Sequence, residues 1–155
     1  MAEKLVVCEQ EEYSKISFGK SAIHGWGLFA RRDIEQGEFV IEYRGDLIRH
    51  HTANRRESQY KVDKKDLYLF AISPQFVVDA TNAGSIGRFM NHSCAPSTMT
   101  KLLDVDGKQH LVFVARCAIK AGQELTYDYR LSKEADDAKI LCLCGAPNCR
   151  GAMND

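Results

Sequence analysis

Arg88-Phe89-Met90-Asn91-His92-Ser93-Cys94-Ala95-Pro96 lies past the middle of the 155-residue chain, and two polar residues there follow directly on two apolar ones. That order runs the backbone of Asn91 and His92 through the interior, where an amide and an imidazole must find partners. Paired, and with backbone groups to spare, they could read the edge of a heterocycle. An Asn beside a His is also a common way to close a structural hydrogen-bond network. After them, Ser93 to Pro96 is a turn-rich loop carrying a cysteine.

Working outward, Cys142-Leu143-Cys144-Gly145-Ala146-Pro147-Asn148-Cys149 is a C-x-C-x4-C run, and its glycine and proline make the tight turn that lets three sulfurs converge. Structural zinc takes four ligands in a tetrahedron, usually thiolates or imidazoles. The fourth must come from Cys8, Cys94, Cys117 or a histidine, and Cys94 is the best candidate because its loop is rich in turns. Cys117 closes an apolar run and reads as a buried core thiol. The competing reading is a disulfide or unpaired thiols.

Composition bounds the rest. Apolar residues make up 45% and charged residues 27%, so the chain can bury one core. Lys+Arg and Asp+Glu balance at 21 each, which argues against a general nucleic-acid binder. Acidic clusters at Asp63/Asp66, Asp104/Asp106 and Glu134/Asp136/Asp137 leave room for a basic peptide, although solvated surface is the plainer use for them. Met1 to Gln10 is too broken by charge for a secretory signal, and the longest apolar run, Leu111 to Ala115, is far short of a membrane span. A soluble intracellular protein is expected, and in that compartment six cysteines favour metal binding over disulfides.

The pattern along the chain is mainly β. Residues 1–15 read as a polar flank, a remnant of a larger protein. Leu28 to Ala30, Phe39 to Tyr43, Tyr68 to Ile72, Phe76 to Asp79, Leu111 to Arg116 and Leu125 to Tyr129 read as short strands. Ser73-Pro74-Gln75 and Asp106-Gly107 are hairpin signals. One polar helix is expected from about His50 to Tyr60, with Thr52 or Asn54 as its cap. Two more motifs remain. Tyr127 and Tyr129, two apart, share one face of an extended strand, either filling core or lining a slot. Gly25-Trp26-Gly27 permits close backbone approach to a ligand, as an ordinary turn also would.

In this order the pieces resemble the SET-domain lysine methyltransferases. The likeness rests on His24 through Ala30, Ile41-Glu42-Tyr43-Arg44-Gly45, Tyr68-Leu69-Phe70, Val78 to Thr81, Arg88 through Pro96, Glu124 through Tyr129, and Cys142 through Arg150. It implies a fold of small curved sheets with short helices, a threaded C-terminal segment, and a zinc-bound post-SET tail. The division it implies is a flank at 1–15, a SET domain at 16–131 with an insert helix at about 50–61, and a post-SET segment at 138–155.

The resemblance also implies roles. His24, Gly25, Trp26, Tyr68, Arg88, Asn91, His92 and Leu143 would contact S-adenosyl-L-methionine. Cys94, Cys142, Cys144 and Cys149 would hold one structural Zn2+. Tyr129 matches the essential tyrosine at the methyl-transfer site, with Tyr127 and Tyr68 beside it. Tyr127 stands at a position that is Phe or Tyr across the family, and Tyr implies mainly mono- and some dimethylation.

Within the family the chain looks most like the Trithorax/mixed-lineage-leukaemia branch, which acts on lysine 4 of the histone H3 tail. That implies a nuclear, chromatin-bound protein with accessory subunits, a partner surface on the insert helix, and neither membrane nor direct nucleic acid. Only Cys8 precedes the core, which counts against the branches with cysteine-rich segments there, including the lysine 36 branch. The histone H4 lysine 20 branch generally lacks the zinc cysteines. Ser97, where Asn is usual, departs from the pattern and bears on substrate more than on activity. Two non-enzymatic alternatives stand beside these: a SET-like module that binds chromatin, and a zinc-organised interaction domain.

Overall fold

The computed structural model describes residues 10–131, 133, 135 and 138–154. The acidic cluster Glu134/Asp136/Asp137 and Cys8 lie outside the described residues. Among the described residues ten strands form three small sheets. Strands β1 (Ile16–Lys20), β2 (Trp26–Ala30), β10 (Glu124–Tyr127) and β7 (Asn91–His92) make the first, in the order β1-β2-β10-β7. The second is β3 (Phe39–Glu42), β9 (Lys108–Ala115) and β8 (Thr98–Val105), in the order β3-β9-β8. The third is β4 (Asp46–Arg49), β6 (Phe76–Asp79) and β5 (Leu69–Ala71), in the order β4-β6-β5. The mainly β expectation holds.

Phe113, Ile16, Leu28, Ile41, Met90 and Leu125 are fully buried where the sheets meet. Each such side chain contributes about 1.5–3 kcal/mol by leaving water. Strand β9 is buried at every residue from Leu111 to Ala115, so it reads as an unbroken apolar run rather than an alternation. Its hairpin partner β8 was not foreseen, because β8 alternates only weakly and half of it faces solvent. The link is the expected Asp106-Gly107 turn, with φ of 53° and 74°, the paired positive values of a two-residue hairpin. Ser73 builds the other turn, its hydroxyl accepting from the amides of Gln75 and Phe76.

The helix runs His50–Val62, two residues past the expected end. Neither Thr52 nor Asn54 caps it. The N-cap is Arg49, which makes no side-chain cap bond, because β4 hands over to the helix without a linker. Strand pairing therefore sets the entry of the chain, and Thr52 and Asn54 fall within the helix. Ala53 and Tyr60 are its only buried residues, so the helix leans on polar contacts. Residues 10–15 of the flank are also helical, and there Glu12 and Lys15 are buried; Arg44 pairs with Glu12 at 2.8 Å. Among the described residues no helix is long and apolar enough to cross a membrane.

Candidate functional site

Strand β10 lies between β2 and β7, antiparallel to the first and parallel to the second. This brings the turn before β2, the Asn91–His92 pair and the chain after Tyr127 to one place. Asn91 holds them together. Its amide nitrogen donates to the carbonyls of His24 (3.2 Å) and Trp26 (2.9 Å) and to Glu124 Oε1 (2.9 Å). Three acceptors around one nitrogen fix the orientation of the carboxamide. Ser21 closes the same turn, donating to Glu124 Oε1 at 2.7 Å and accepting from the amides of Ile23 and His24. Gly25 sits at φ 47°, where a side chain would be strained.

Beside this joint is a cavity of about 330 Å³. Its lining includes His24, Gly25, Trp26, Tyr68, Arg88, Asn91, His92, Tyr129 and Leu143, with Phe89, Leu141, Cys142 and Met153. All the residues named from sequence as cofactor contacts meet there. Tyr127 is behind the wall rather than on it. Its ring packs 4.6 Å from Tyr129, 4.8 Å from Phe113 and 5.8 Å from Phe70. The two rings are in contact, but the strand ends at Tyr127, so they do not share one face of an extended strand, and Tyr129 alone lines the cavity.

Burial sets the electrostatics. It pushes the Tyr129 phenol up to about 12 and raises Tyr127 well above its ordinary value. Burial raises Tyr68 as well, Asp66 adds to the effect, and Arg88 opposes it. His92 is held below the usual histidine value, first by burial. Its Nδ1 accepts from the Tyr129 amide at 3.2 Å, and its Nε2 lies 3.5 Å from Cys94 Sγ. Arg88 donates from Nη1 to the Ala80 carbonyl (2.8 Å) and lies 5.5 Å over the Tyr68 ring. Its Nε is buried with no partner among the described residues.

The sulfurs of Cys94, Cys142, Cys144 and Cys149 lie within 4.8 Å of one another. Cys94 and Cys142 are 3.7 Å apart, far beyond the roughly 2.05 Å of a disulfide. Tetrahedral zinc with bonds of about 2.3 Å spaces its sulfurs by roughly 3.8 Å. Backbone amides point at the cluster: Cys94 to Cys144 Sγ (3.5 Å), Arg150 to Cys94 Sγ (3.4 Å) and Gly151 to Cys149 Sγ (3.4 Å). Burial works against the Cys144 thiolate, yet the amides of Cys94 and Ala146 bring this thiol below its ordinary value. The donor set suits a metal cation. Cys117, expected in the core, is exposed, because β9 stops at Ala115 and the chain bends outward.

Sequence reading quoted three residues within its motifs but gave them no role. Asp128 takes a two-pronged contact from Arg150, with both N···O distances 3.0 Å. Glu124 is the shared acceptor described above. Asp79, 2% exposed, receives Arg56 and Tyr60 of the helix, each at 2.9 Å. Their partners are distant in the chain or on another element, so no local pattern reveals what they bind.

These features define a SET domain, and a SET-domain family model matches residues 25–130; the chain belongs to that family. It is 49% identical over 141 residues to a histone-lysine N-methyltransferase, H3 lysine-4 specific, of Debaryomyces hansenii, and 48% identical over 141 residues to the protein of the same description in Schizosaccharomyces pombe. Those matches cover 90% of this chain but only 13% and 15% of the two relatives. The Drosophila melanogaster histone-lysine N-methyltransferase trr is 41% identical over 146 residues, 94% of this chain and 6% of that protein.

Proposed function

We propose that the chain carries the methyl-transfer activity of an S-adenosylmethionine-dependent histone-lysine N-methyltransferase, with lysine 4 of histone H3 as target. The observation that carries this reading is the convergence of His24, Tyr68, Arg88, Asn91, His92, Leu143 and Tyr129 on one cavity of about 330 Å³. That volume falls within the range of about 300–1,000 Å³ usual for small-molecule sites. The relatives from Debaryomyces hansenii and Schizosaccharomyces pombe, both H3 lysine-4 specific, support the target. The unit is residues 16–131, closed by a tail at 138–155.

The residues fit the cofactor. The unpartnered Arg88 Nε suits a carboxylate, since a buried donor without a partner is costly. Strand β7 is at the edge of its sheet, and the parallel ladder engages Ser93, whose amide bonds the Tyr127 carbonyl at 3.0 Å. In that pattern the N–H and C=O of His92 turn away from the ladder, free for an adenine edge. Leu143 and Leu141 line the same cavity and would offer apolar surface to the adenine. The four cysteines would hold one structural zinc that keeps this tail in place.

S-adenosylmethionine, when bound, supplies an electrophilic methyl on a sulfonium sulfur. The chain aligns the incoming amine with it, and alignment is most of the catalysis in such a displacement. Free lysine titrates near 10.4, so the amine must lose its proton. Tyr127, Phe70, Phe113 and Tyr129 form a ring cluster that disfavours the ammonium. With their titration raised by burial, the phenols of Tyr68, Tyr127 and Tyr129 stay protonated at neutral pH. They orient groups by hydrogen bonding and do not take the proton, which leaves to water. Tyr127, packed against Tyr129 from behind, would tighten the space for the amine and limit products to mono- and dimethyl-lysine. A nuclear location and accessory subunits on the exposed face of the insert helix belong to the same reading.

Mass spectrometry tests it. An N-terminal histone H3 peptide incubated with chain and cofactor should gain one or two methyl groups, and a copy with lysine 4 changed to alanine should gain none. Methylation of the alanine copy, or preference for histone H3 lysine 36 or histone H4 lysine 20 peptides, would overturn the target. No methylation of any peptide, with no thermal stabilisation by S-adenosylhomocysteine, would overturn the activity.

A further inference from the structure

β10 ends at Tyr127, and two residues on Tyr129 lines the cavity. Arg130 sits at φ 51°, a left-handed conformation that a non-glycine residue adopts only when its surroundings require it. The Asp128 carboxylate holds that turn, accepting from the Arg130 amide at 3.1 Å. The same carboxylate is gripped by the Arg150 guanidinium, with both contacts 3.0 Å. Arg150 follows the last cysteine of the cluster, and its own amide donates to Cys94 Sγ.

A second path runs from the same sulfur. The Tyr129 amide donates to His92 Nδ1, which places the ring proton on Nε2, the nitrogen facing Cys94 Sγ. Cys94 is thus joined to Tyr129 through His92 and to Asp128 through Arg150. The His92 path is buried, but the Arg150 path fills no core: the Arg150 side chain is 37% exposed and that of Asp128 24%. Partly exposed ion pairs contribute little to stability, and a planar fork on a carboxylate contributes direction.

We propose that Arg150 and His92 are positioning residues that make the placement of the Tyr129 hydroxyl depend on closure of the cysteine cluster. The inference rests on Tyr129 being the methyl-transfer tyrosine. Neither side chain touches the reacting atoms. With the cluster closed, Asp128 and the Tyr129 amide are both held. With the cluster open, the left-handed turn loses the contact that supports it.

The test uses the 155-residue chain loaded with zinc, and the variants Arg150→Gln, Arg150→Lys and Asp128→Asn. Tyrosines carry 13C at Cζ, with the Tyr129 signal assigned through Tyr129→Phe. Arg150→Gln should move the Tyr129 signal and leave that of Tyr60 in place. It should lower kcat about ten- to a hundredfold, as misplacement of a reacting group does, with a much smaller change in KM for the cofactor. Arg150→Lys should recover only part of the loss, because an ammonium cannot span both oxygens. Asp128→Asn should add nothing to Arg150→Gln, the mark of a shared path. An unmoved Tyr129 signal, with melting temperature, zinc retention against a chelator and kcat all falling together, would make the contact merely structural and overturn the proposal. If the parent chain methylates no peptide, the functional reading fails, while the Tyr129 signal still decides for or against the coupling.

Discussion

The Tyr129 hydroxyl donates a 3.0 Å hydrogen bond to the Met90 carbonyl, immediately before the buried Asn91–His92 pair. The contact joins the segment after β10 to the entrance of β7, so one phenol both lines the cavity and pins its wall. Met90 itself is fully buried, which makes the acceptor a fixed point.

Tyr129→Phe should therefore lower turnover by a hundredfold or so, the order expected when a positioned group is lost from a transition state. Affinity for S-adenosylhomocysteine, read by calorimetry, should change by less than about threefold. Loss of one buried hydrogen bond should cost about 1 kcal/mol of stability. A large drop in cofactor affinity with unchanged kcat would assign Tyr129 to binding.

Tyr127→Phe should raise the highest methylation state reached on a histone H3 peptide. Tyr127 packs against Phe113, Phe70 and Tyr129, so removing its hydroxyl leaves the ring in place and frees room for a larger amine. Mass spectra should show trimethyl-lysine where the parent stops at two methyls. An unchanged product distribution would take the limiting role away from this residue.

Removing metal should open the cavity and spare the sheets. Leu141, Cys142, Leu143 and Met153 form one side of it, and all belong to the tail that the four cysteines gather. Treatment with a chelator should abolish thermal stabilisation by S-adenosylhomocysteine while the far-ultraviolet signal of the strands persists, and added zinc should restore binding. Cys144→Ser should behave as the chelated protein does. Full cofactor binding without metal would deny the cluster this role.

Asp79 makes a pH-dependent contribution. Burial raises its carboxyl, but the bonds from Arg56, the Thr81 amide and Tyr60 outweigh burial and bring it below the ordinary aspartate value. A group depressed on folding stabilises fully above its unfolded pKa of about 3.9, and that stabilisation is lost as pH falls through the lower folded value. Asp79→Asn should cost about 2 kcal/mol at neutral pH, because it takes the charge out of the bonds from Arg56 and Tyr60, which keep Asp46 and Asn82 as partners. Below about pH 4 its urea midpoint should converge on that of the parent. Parallel curves down to pH 2 would exclude the linkage.

Much of the site was legible because it is written in short spacings. The Cys142, Cys144 and Cys149 run, the Asn91–His92 pair after two apolar residues, and the Asp106-Gly107 turn each act within a few residues of chain. The helix caps were misread for the opposite reason. Strand pairing of β4 with β6 fixes where the helix begins, and Thr52 and Asn54 have no influence on that. Cys117 was misread because two residues past a buried strand the chain can turn inward or outward, and its composition is the same either way.

By itself the sequence determined the family, the mainly β class, three of the four clustered sulfurs and the aromatic pair, since covalent spacing and hydrophobic period survive any arrangement of the sheets. Only the tertiary structure decided that Cys94 completes the cluster, that Glu124 and Asp128 accept from Asn91 and Arg150, and that Gly45 must lack a side chain because a Cβ there would lie 2.5 Å from the Asp79 carbonyl oxygen. Such contacts join residues that lie far apart in the chain. Their geometry follows from how β10 comes to lie between β2 and β7, and no local preference encodes that placement.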